Sequence, residues 1–124
     1  MNGISDVDVI HALRRQMTIA AARQAASAGN LANVDTPNYK AVDVSFADAL
    51  DAQAATHPAH LGGGAPAGVH TEEIQGADAR RDGNTVVLDQ ELLKMSRAAG
   101  DFSAAQTALA AKFRLVRYAI NEGR

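Results

Sequence analysis

Apolar residues recur at alternating spacings of three and four through the last third of this 124-residue chain. The repeat keeps a seven-residue period for more than four heptads. It therefore predicts a helix over residues 88–122 that packs against other helices as in a left-handed coiled coil. Asp89 is its predicted N-cap. The predicted seam consists of Leu88, Leu92, Met95, Ala99, Phe102, Gln106, Leu109, Phe113, Val116 and Ile120.

A second helix is predicted over residues 5–32. Ser5 and Asp8 have the spacing of a capping box, which closes the first turn of a helix. An apolar seam follows and becomes small and polar in its second half, and a stripe of alanines runs beside it. The apolar members of this seam are Ile10, Leu13 and Met17.

The residues between the helices divide into two segments of a single domain, 1–124. Residues 33–53 combine turn residues with an alternation at Val42, Val44 and Phe46 that predicts an extended strand, and a short helix is expected from Ser45 to Gln53. Residues 54–84 hold six Gly, two Pro and three His, which predicts a loop that is flexible or ordered only under some conditions. The C-terminal helix occupies the remaining segment, 85–124.

The composition excludes several classes of protein. There is no Cys for a disulfide or a thiolate, and the net charge of -2 argues against a general nucleic-acid-binding surface. We expect no membrane span and no cleaved signal peptide. Alanine supplies 27 residues and the larger apolar types 31, so two helices with one shared seam have little to bury. We therefore expect the helices to become rigid on assembly with other subunits.

A motif after the first helix resembles the N-terminal signature of bacterial flagellar rod and hook proteins. It reads Ala-Gly-Asn-Leu-Ala-Asn-Val-Asp-Thr-Pro-Asn-Tyr-Lys over residues 28–40. Residues 41–46, 83–95 and 112–120 are also similar to the version in proximal rod proteins. Asn38 stands where the family usually has Gly, and Asn tolerates the positive φ that such a position requires. The expected assembly motif is Asn30, Asn33, Thr36, Pro37 and Tyr39.

The resemblance implies a mainly α fold in which long N- and C-terminal helices form an antiparallel, coiled-coil-like pair of the D0 type. It also implies export from the cytoplasm by the flagellar type III system without a cleaved signal, followed by polymerisation in the basal body. The implied partners are copies of the chain, rod proteins of the FlgC type, the basal-body adapter FliE, and the membrane ring with the export gate. Nucleic acid, small-molecule substrates and cofactors are not expected.

Several residues allow more than one interpretation. Phe46 and Leu50 have the spacing of an export-gate signal, but the interpretation as anchors of a short helix is favoured over it. Gln106 either selects the register of the seam or is solvated. His57, His60, His70, Glu72 and Glu73 are metal-ligand types without a rigid scaffold, so neither a metal site nor an enzyme is expected. Gly100 is expected to mark the close approach of a neighbour. A helical adaptor or export chaperone, acting as a discrete hairpin oligomer, is the alternative function.

Overall fold

The computed structural model describes residues 5–45 and 70–122. Its elements are helix α1 (Asp6–Ala32), strand β1 (Val42–Ser45), strand β2 (His70–Glu73) and helix α2 (Leu88–Glu122). The predicted mainly α class is confirmed, and both long helices have the predicted limits to within one residue. No helix in the described ranges is long and apolar enough to cross a membrane.

Helix α1 begins with the predicted capping box. The Asp8 backbone N–H donates to Ser5 Oγ over 3.2 Å, and the Ser5 backbone N–H donates to Asp8 Oδ2 over 3.2 Å. Because these bonds favour an ionised Asp8, the hydrogen bonds from the Ser5 side chain and backbone lower the pKa of the Asp8 carboxyl. The start of α1 is therefore stabilised by residues of its own first turn.

Helix α2 begins one residue before the predicted N-cap. The Glu91 backbone N–H donates to the Val87 carbonyl over 3.0 Å, so the ladder of helical bonds starts at Val87. Asp89 lies inside the first turn and is not the N-cap, which corrects the sequence prediction. Its carboxylate still lies near the positive end of the helix dipole.

The two strands form an antiparallel ladder in which Val42 is opposite Glu73 and Ser45 is opposite His70. The predicted strand is present over Val42–Ser45, so Ser45 does not begin a helix. The predicted loop over 54–84 is wrong for residues 70–84, which contain β2 and a hydrogen-bonded turn. Phe46, Leu50, the rest of the predicted short helix and residues 54–69 lie outside the described residues.

The buried apolar residues of the described chain are small. Besides two valines, Val44 and Val86, they are alanines on the helices and at Ala41. Alanines at a helix contact let two helix axes come close together, but they remove little apolar surface from water. The core therefore sets the spacing of the elements and leaves the larger apolar side chains outside: Val7, Val87, Leu88, Leu92, Leu93, Phe113, Leu115, Tyr118 and Ile120 are exposed.

Two contacts, one at each end of α1, join the N-terminal and C-terminal parts of the chain. Asp6 in its first turn forms an ion pair with Lys112 in the last third of α2. Asn33, directly after α1, accepts a hydrogen bond from Asn84, four residues before α2. The helices also share an open groove of about 740 Å³, to which α1 contributes Ile10 and Met17 among others.

Candidate assembly interface

The last turn of α1 is joined to β1 by the side chain of Asn30. Asn30 is completely buried, and its amide forms two bonds with the backbone of Val42: Nδ2 donates to the carbonyl over 2.8 Å, and Oδ1 accepts the N–H over 3.0 Å. The Tyr39 hydroxyl donates to the same Oδ1 over 3.4 Å. These two bonds satisfy the backbone N–H and carbonyl of Val42 as a neighbouring strand would, and they fix the position of β1 relative to the end of α1.

Asn33 ends α1 and starts the reversal of the chain. Its Nδ2 donates to the Gly29 carbonyl over 2.9 Å, so one of the free carbonyls at the helix end is satisfied. Thr36 donates to Asn33 Oδ1 over 3.1 Å, and the Thr36 backbone N–H donates to the Asn33 carbonyl over 3.0 Å. Pro37 and Thr36 are exposed at the tip of this turn.

Asn84, just before α2, holds the turn that follows α1. It is completely buried, and its Nδ2 donates to the carbonyls of Asn33, Val34 and Thr36 over 2.8, 3.2 and 2.8 Å. Its Oδ1 accepts the Val86 N–H over 2.7 Å. Since its partners are about 50 residues earlier in the chain, Asn84 connects the end of α1 to the start of α2.

Two residues with positive φ bring these segments into contact. Asn38 has φ 61°, which confirms the expectation for this position, and Gly83 has φ 80°. A Cβ on Gly83 would lie 2.4 Å from Asn38 Oδ1 and 3.4 Å from its Cα. Only glycine therefore fits at 83 without moving Asn38. We call Asn30, Asn33, Asn38, Gly83, Asn84 and Thr85 the polar knot, since Thr85 adds bonds to Tyr39 and Ala41.

The polar atoms of Asn30 and Asn33 are thus used within the chain. The exposed members of the predicted assembly motif are Thr36 and Pro37, and Tyr39 is half-buried. A contact of these residues with another subunit stays a prediction. Sequence reasoning did not single out Asn84 and Gly83, although both occur in the run that carries the family resemblance. The signal is weak because their contacts are with residues far away in the sequence.

Lys94 lies between two carboxylates beside the knot. Its Nζ is 3.2 Å from Glu91 Oε1 and 3.3 Å from Asp43 Oδ2. Partial burial by itself lowers the pKa of the Lys94 ammonium, but the hydrogen bond to Glu91 and the charges of Glu91 and Asp43 outweigh it, so the pKa is raised. Lys94 therefore stays charged and ties α2 to β1.

The predicted seam of α2 splits into two rows. One row begins at Leu88, which is exposed, and continues through four half-buried residues, Met95, Phe102, Leu109 and Val116. The other row is exposed throughout. The buried residues of α2 are Glu91, Ala98 and Ala105, each one position before a member of this exposed row. We name the exposed row the outer row: Leu92, Ala99, Gln106, Phe113 and Ile120.

The outer row borders the groove between the helices. Phe102, Leu109 and Phe113 line the groove from α2, and Ile10, Met17 and Ala21 line it from α1. Leu13, between Ile10 and Met17 in the sequence, is half-buried, while the alanine stripe at 21, 25, 28 and 32 is exposed. A mostly apolar groove with exposed apolar residues at its edge is the kind of surface that other helices cover.

A second exposed apolar surface lies on the far side of α2. At 100° per residue, Leu93 and Tyr118 are about opposite to the buried Glu91 and Ala98. Leu93, Leu115 and Tyr118 are all more than half exposed. Gly100 belongs to this side, and a Cβ placed there would meet nothing within 4 Å, so residues 5–45 and 70–122 supply no close neighbour to explain it.

The described residues contain no group of three or more His, Cys, Asp or Glu side chains that could hold a metal ion. His57 and His60 lie outside the described residues. The chain matches no protein-family model, and no curated protein is similar enough in sequence to be counted as a relative.

Proposed function

We propose that this chain is a structural subunit of the proximal rod of the bacterial flagellar basal body, of the FlgB type, and that it polymerises through its terminal helices. The observation that carries the proposal is the exposed apolar surface of α2. In the outer row, Leu92, Phe113 and Ile120 are 52, 53 and 65 % exposed. Apolar residues at heptad spacing are typical of helices covered by other helices.

The distribution of apolar residues around α2 supports a polymer more than a hairpin dimer. One side faces α1 through alanines, the outer row is exposed beside the groove, and Leu93, Leu115 and Tyr118 are exposed on the far side. Exposed apolar residues on more than one side of a helix are typical of a surface that partners cover. One partner helix covers one more side, whereas neighbours on several sides cover all of them.

The contacts between the helices favour the D0-type arrangement. The ion pair of Asp6 with Lys112 joins the start of α1 to the last third of α2, and the bond of Asn84 to Asn33 joins the start of α2 to the end of α1. We infer that the helices form an antiparallel pair and that the polar knot sets their relative register. The signature in residues 28–40 adds the family resemblance.

The proposal specifies partners and a location. The chain is exported from the cytoplasm by the flagellar type III system without cleavage of a signal, and it is assembled in the basal body. Its partners are copies of itself, rod proteins of the FlgC type, the adapter FliE and the membrane ring with the export gate. It has no catalytic role and no cofactor.

Deletion of the gene in the bacterium that encodes this chain tests the proposal. We expect cells without motility and basal bodies without a rod, both restored by the intact gene. The chain should also be found in purified basal bodies. Normal swimming after deletion, or a chain that stays in the cytoplasm at one fixed stoichiometry with a partner, would contradict the proposal. The second result would favour the adaptor.

A matched set of variants connects the test to the outer row. Phe113→Asp places a carboxylate on an exposed apolar residue, so we expect a folded monomer, normal export and no rod. Leu109→Asp acts on the half-buried row and should also lower the helicity of the monomer. Ser96→Asp adds the same charge at an exposed polar position of α2 and should support swimming. Rod assembly by Phe113→Asp would remove the outer row from the interface.

A further inference from the structure

The large apolar side chains that the described chain exposes lie in two separate groups. The first group, at the start of α2, consists of Val87, Leu88, Leu92 and Leu93. The second group consists of Val7, Phe113, Leu115, Tyr118 and Ile120, and the ion pair of Asp6 with Lys112 brings the first turn of α1 to the last third of α2. Among the described residues, none of these exposed side chains lies on α2 between Leu93 and Phe113. The chain therefore exposes its larger apolar side chains at two places that are far apart.

The two groups lie in parts of the chain with opposite charge. Residues 33–45 and 70–93, which contain or adjoin the first group, carry eight acidic and three basic side chains. Residues 5–16 and 105–122, which contain the second group, carry three acidic and five basic side chains. Histidine is counted as neutral in both. We name these two parts the acidic end and the basic end.

Exposed charges next to the apolar groups follow the same division. Asp89 lies within the first group in the sequence, and Asp78 lines a pocket together with Val87; both carboxylates are exposed. Arg114 and Arg117 lie within the second group in the sequence and are also exposed. A surface that combines apolar and charged side chains fits a partner that offers apolar area and the opposite charge.

One molecule cannot bring its own two ends together. Leu93 and Phe113 are on the same helix and are separated by about 30 Å of it, at about 1.5 Å per residue. Charges farther apart than about 8 Å are largely screened at physiological salt. The charges of the two ends therefore do not compensate each other within one molecule.

A second copy of the chain supplies what each end lacks. Its basic end offers apolar surface and positive charge to the acidic end, and its acidic end offers apolar surface and negative charge to the basic end. Two ends of the same kind would bring like charges together, which is unfavourable. Opposite ends of two copies are therefore complementary in both respects, and identical ends in only one.

We propose that copies of this chain associate end to end, with the basic end of one copy against the acidic end of the next. A contact between different surfaces of two copies repeats, and it continues into an open filament where it does not close into a ring. The inference rests on the proposed function, in which copies polymerise, and it adds which surfaces meet along the polymer. Of the outer row, it assigns Leu92, Phe113 and Ile120 to this contact.

Sedimentation equilibrium of the full chain tests the contact. We expect reversible self-association that weakens as the ionic strength rises from about 0.05 to 0.5 M, because the attraction between the ends is screened. Arg117→Glu should raise the dissociation constant about tenfold or more. Arg97→Glu makes the same change of charge at an exposed position close to the acidic end and should not weaken association. A chain that stays monomeric at every concentration, or equal weakening by the two variants, would overturn the proposal.

Mixing two charge-reversed chains isolates the pairing of opposite ends. One chain carries Arg114→Glu with Arg117→Glu, and the other carries Asp78→Lys with Asp89→Lys. Each alone has lost the complementarity of its two ends and should associate more weakly than the intact chain. In the mixture, the unchanged acidic end of the first chain meets the unchanged basic end of the second, so association should return. A mixture that associates no better than its components would contradict the contact.

Disulfide cross-linking identifies the ends that meet, since the chain has no Cys of its own. A chain with Gln90→Cys, exposed at the acidic end, is mixed with one carrying Asn121→Cys, exposed at the basic end. We expect this pair to cross-link faster than two chains with the same Cys. It should also be faster than Gln90→Cys mixed with Gln24→Cys, which lies on α1 outside both ends. Faster cross-linking of identical ends, or equal rates throughout, would overturn the proposal.

These measurements do not depend on motility. Pairing of opposite ends in a chain whose deletion leaves swimming intact would contradict only the proposed function. Basal bodies that contain the chain, together with ends that do not pair, would contradict only the end-to-end contact.

Discussion

The polar knot and the last third of α2 use their side chains in opposite ways. In the knot, both the N–H and the carbonyl groups of the amides of Asn30, Asn33 and Asn84 are bonded within the chain. In the last third of α2, Phe113 and Ile120 are more than half exposed. The knot is therefore completed by the chain's own residues. The large apolar side chains at the end of α2 have no cover among the described residues.

The largest expected effect comes from removing Asn84. Asn84→Ala leaves three carbonyls without their shared donor and the Val86 N–H without its acceptor, so we expect the free energy of unfolding to fall by about 3 kcal/mol. Urea unfolding followed by circular dichroism measures it. Asn121→Ala, at an exposed position of α2, is the control and should change little.

Asn84→Asp sharpens this result, because the aspartate keeps an acceptor for Val86 and loses the donor to the carbonyls. We expect it to be nearly as destabilising as Asn84→Ala. If both variants unfold like the intact chain, the knot does not hold the two helices together, and the contrast with α2 disappears.

The next largest loss of stability is expected at Gly83, and comparison with Gly76 distinguishes a steric clash from backbone strain alone. Gly83 and Gly76 both have positive φ, but a Cβ would collide with Asn38 only at Gly83. We expect Gly83→Ala to lower the free energy of unfolding by about 2 kcal/mol or more, and Gly76→Ala by about 1 kcal/mol, since it carries the strain alone. Thermal unfolding of the two variants side by side measures the difference. Equal losses would mean that Asn38 moves aside at no cost.

A smaller effect of opposite sign is expected on the uncovered helix. Gly100 lies in the interior of α2, and a Cβ there meets open space within the chain, so Gly100→Ala should stabilise the monomer by about 1 kcal/mol. Chemical unfolding measures the gain. If Gly100→Ala also blocks polymerisation, a neighbouring subunit approaches this glycine closely. A stabilised chain that still polymerises would leave Gly100 without an assembly role.

The limits of the two helices could be predicted from the sequence, but the side of α2 that faces α1 could not. The helix limits follow from the capping box at Ser5 and from the heptad repeat, both of which are local signals. The side of α2 that faces α1 does not follow from such signals. The row of Met95 can be paired with a row that begins at Leu92 or with one that begins at Glu91, and both have the same seven-residue spacing. The buried row is the one with Ala98 and Ala105, where small residues allow close packing.

The turn after α1 was likewise only partly predictable, because some of its hydrogen bonds come from residues distant in sequence. Asn30 and Asn33 are predicted motif residues because the continuous run 28–40 resembles the signature of rod and hook proteins. The role of Asn84 depends on bonds to carbonyls 48 to 51 residues away, which no local pattern encodes. The order in residues 70–84 was missed for this reason, since a Gly-containing segment with few large apolar residues is ordered here by polar bonds and not by apolar burial.

The smallest expected effect lies at the first turn of α1, far from the knot. The bonds from Ser5 lower the pKa of Asp8 below its ordinary value of 3.8. A carboxyl with a lowered folded-state pKa contributes stability that is present above the ordinary value and is lost as the pH falls through the folded value. We therefore expect residues 6–9 to lose helicity first on acidification, while the knot keeps its bonds, because its amides do not titrate. NMR of the backbone amides against pH measures both regions at once. Ser5→Ala should move the loss at Asp8 to higher pH, and loss of both regions at one pH would mean that the two ends are not independent.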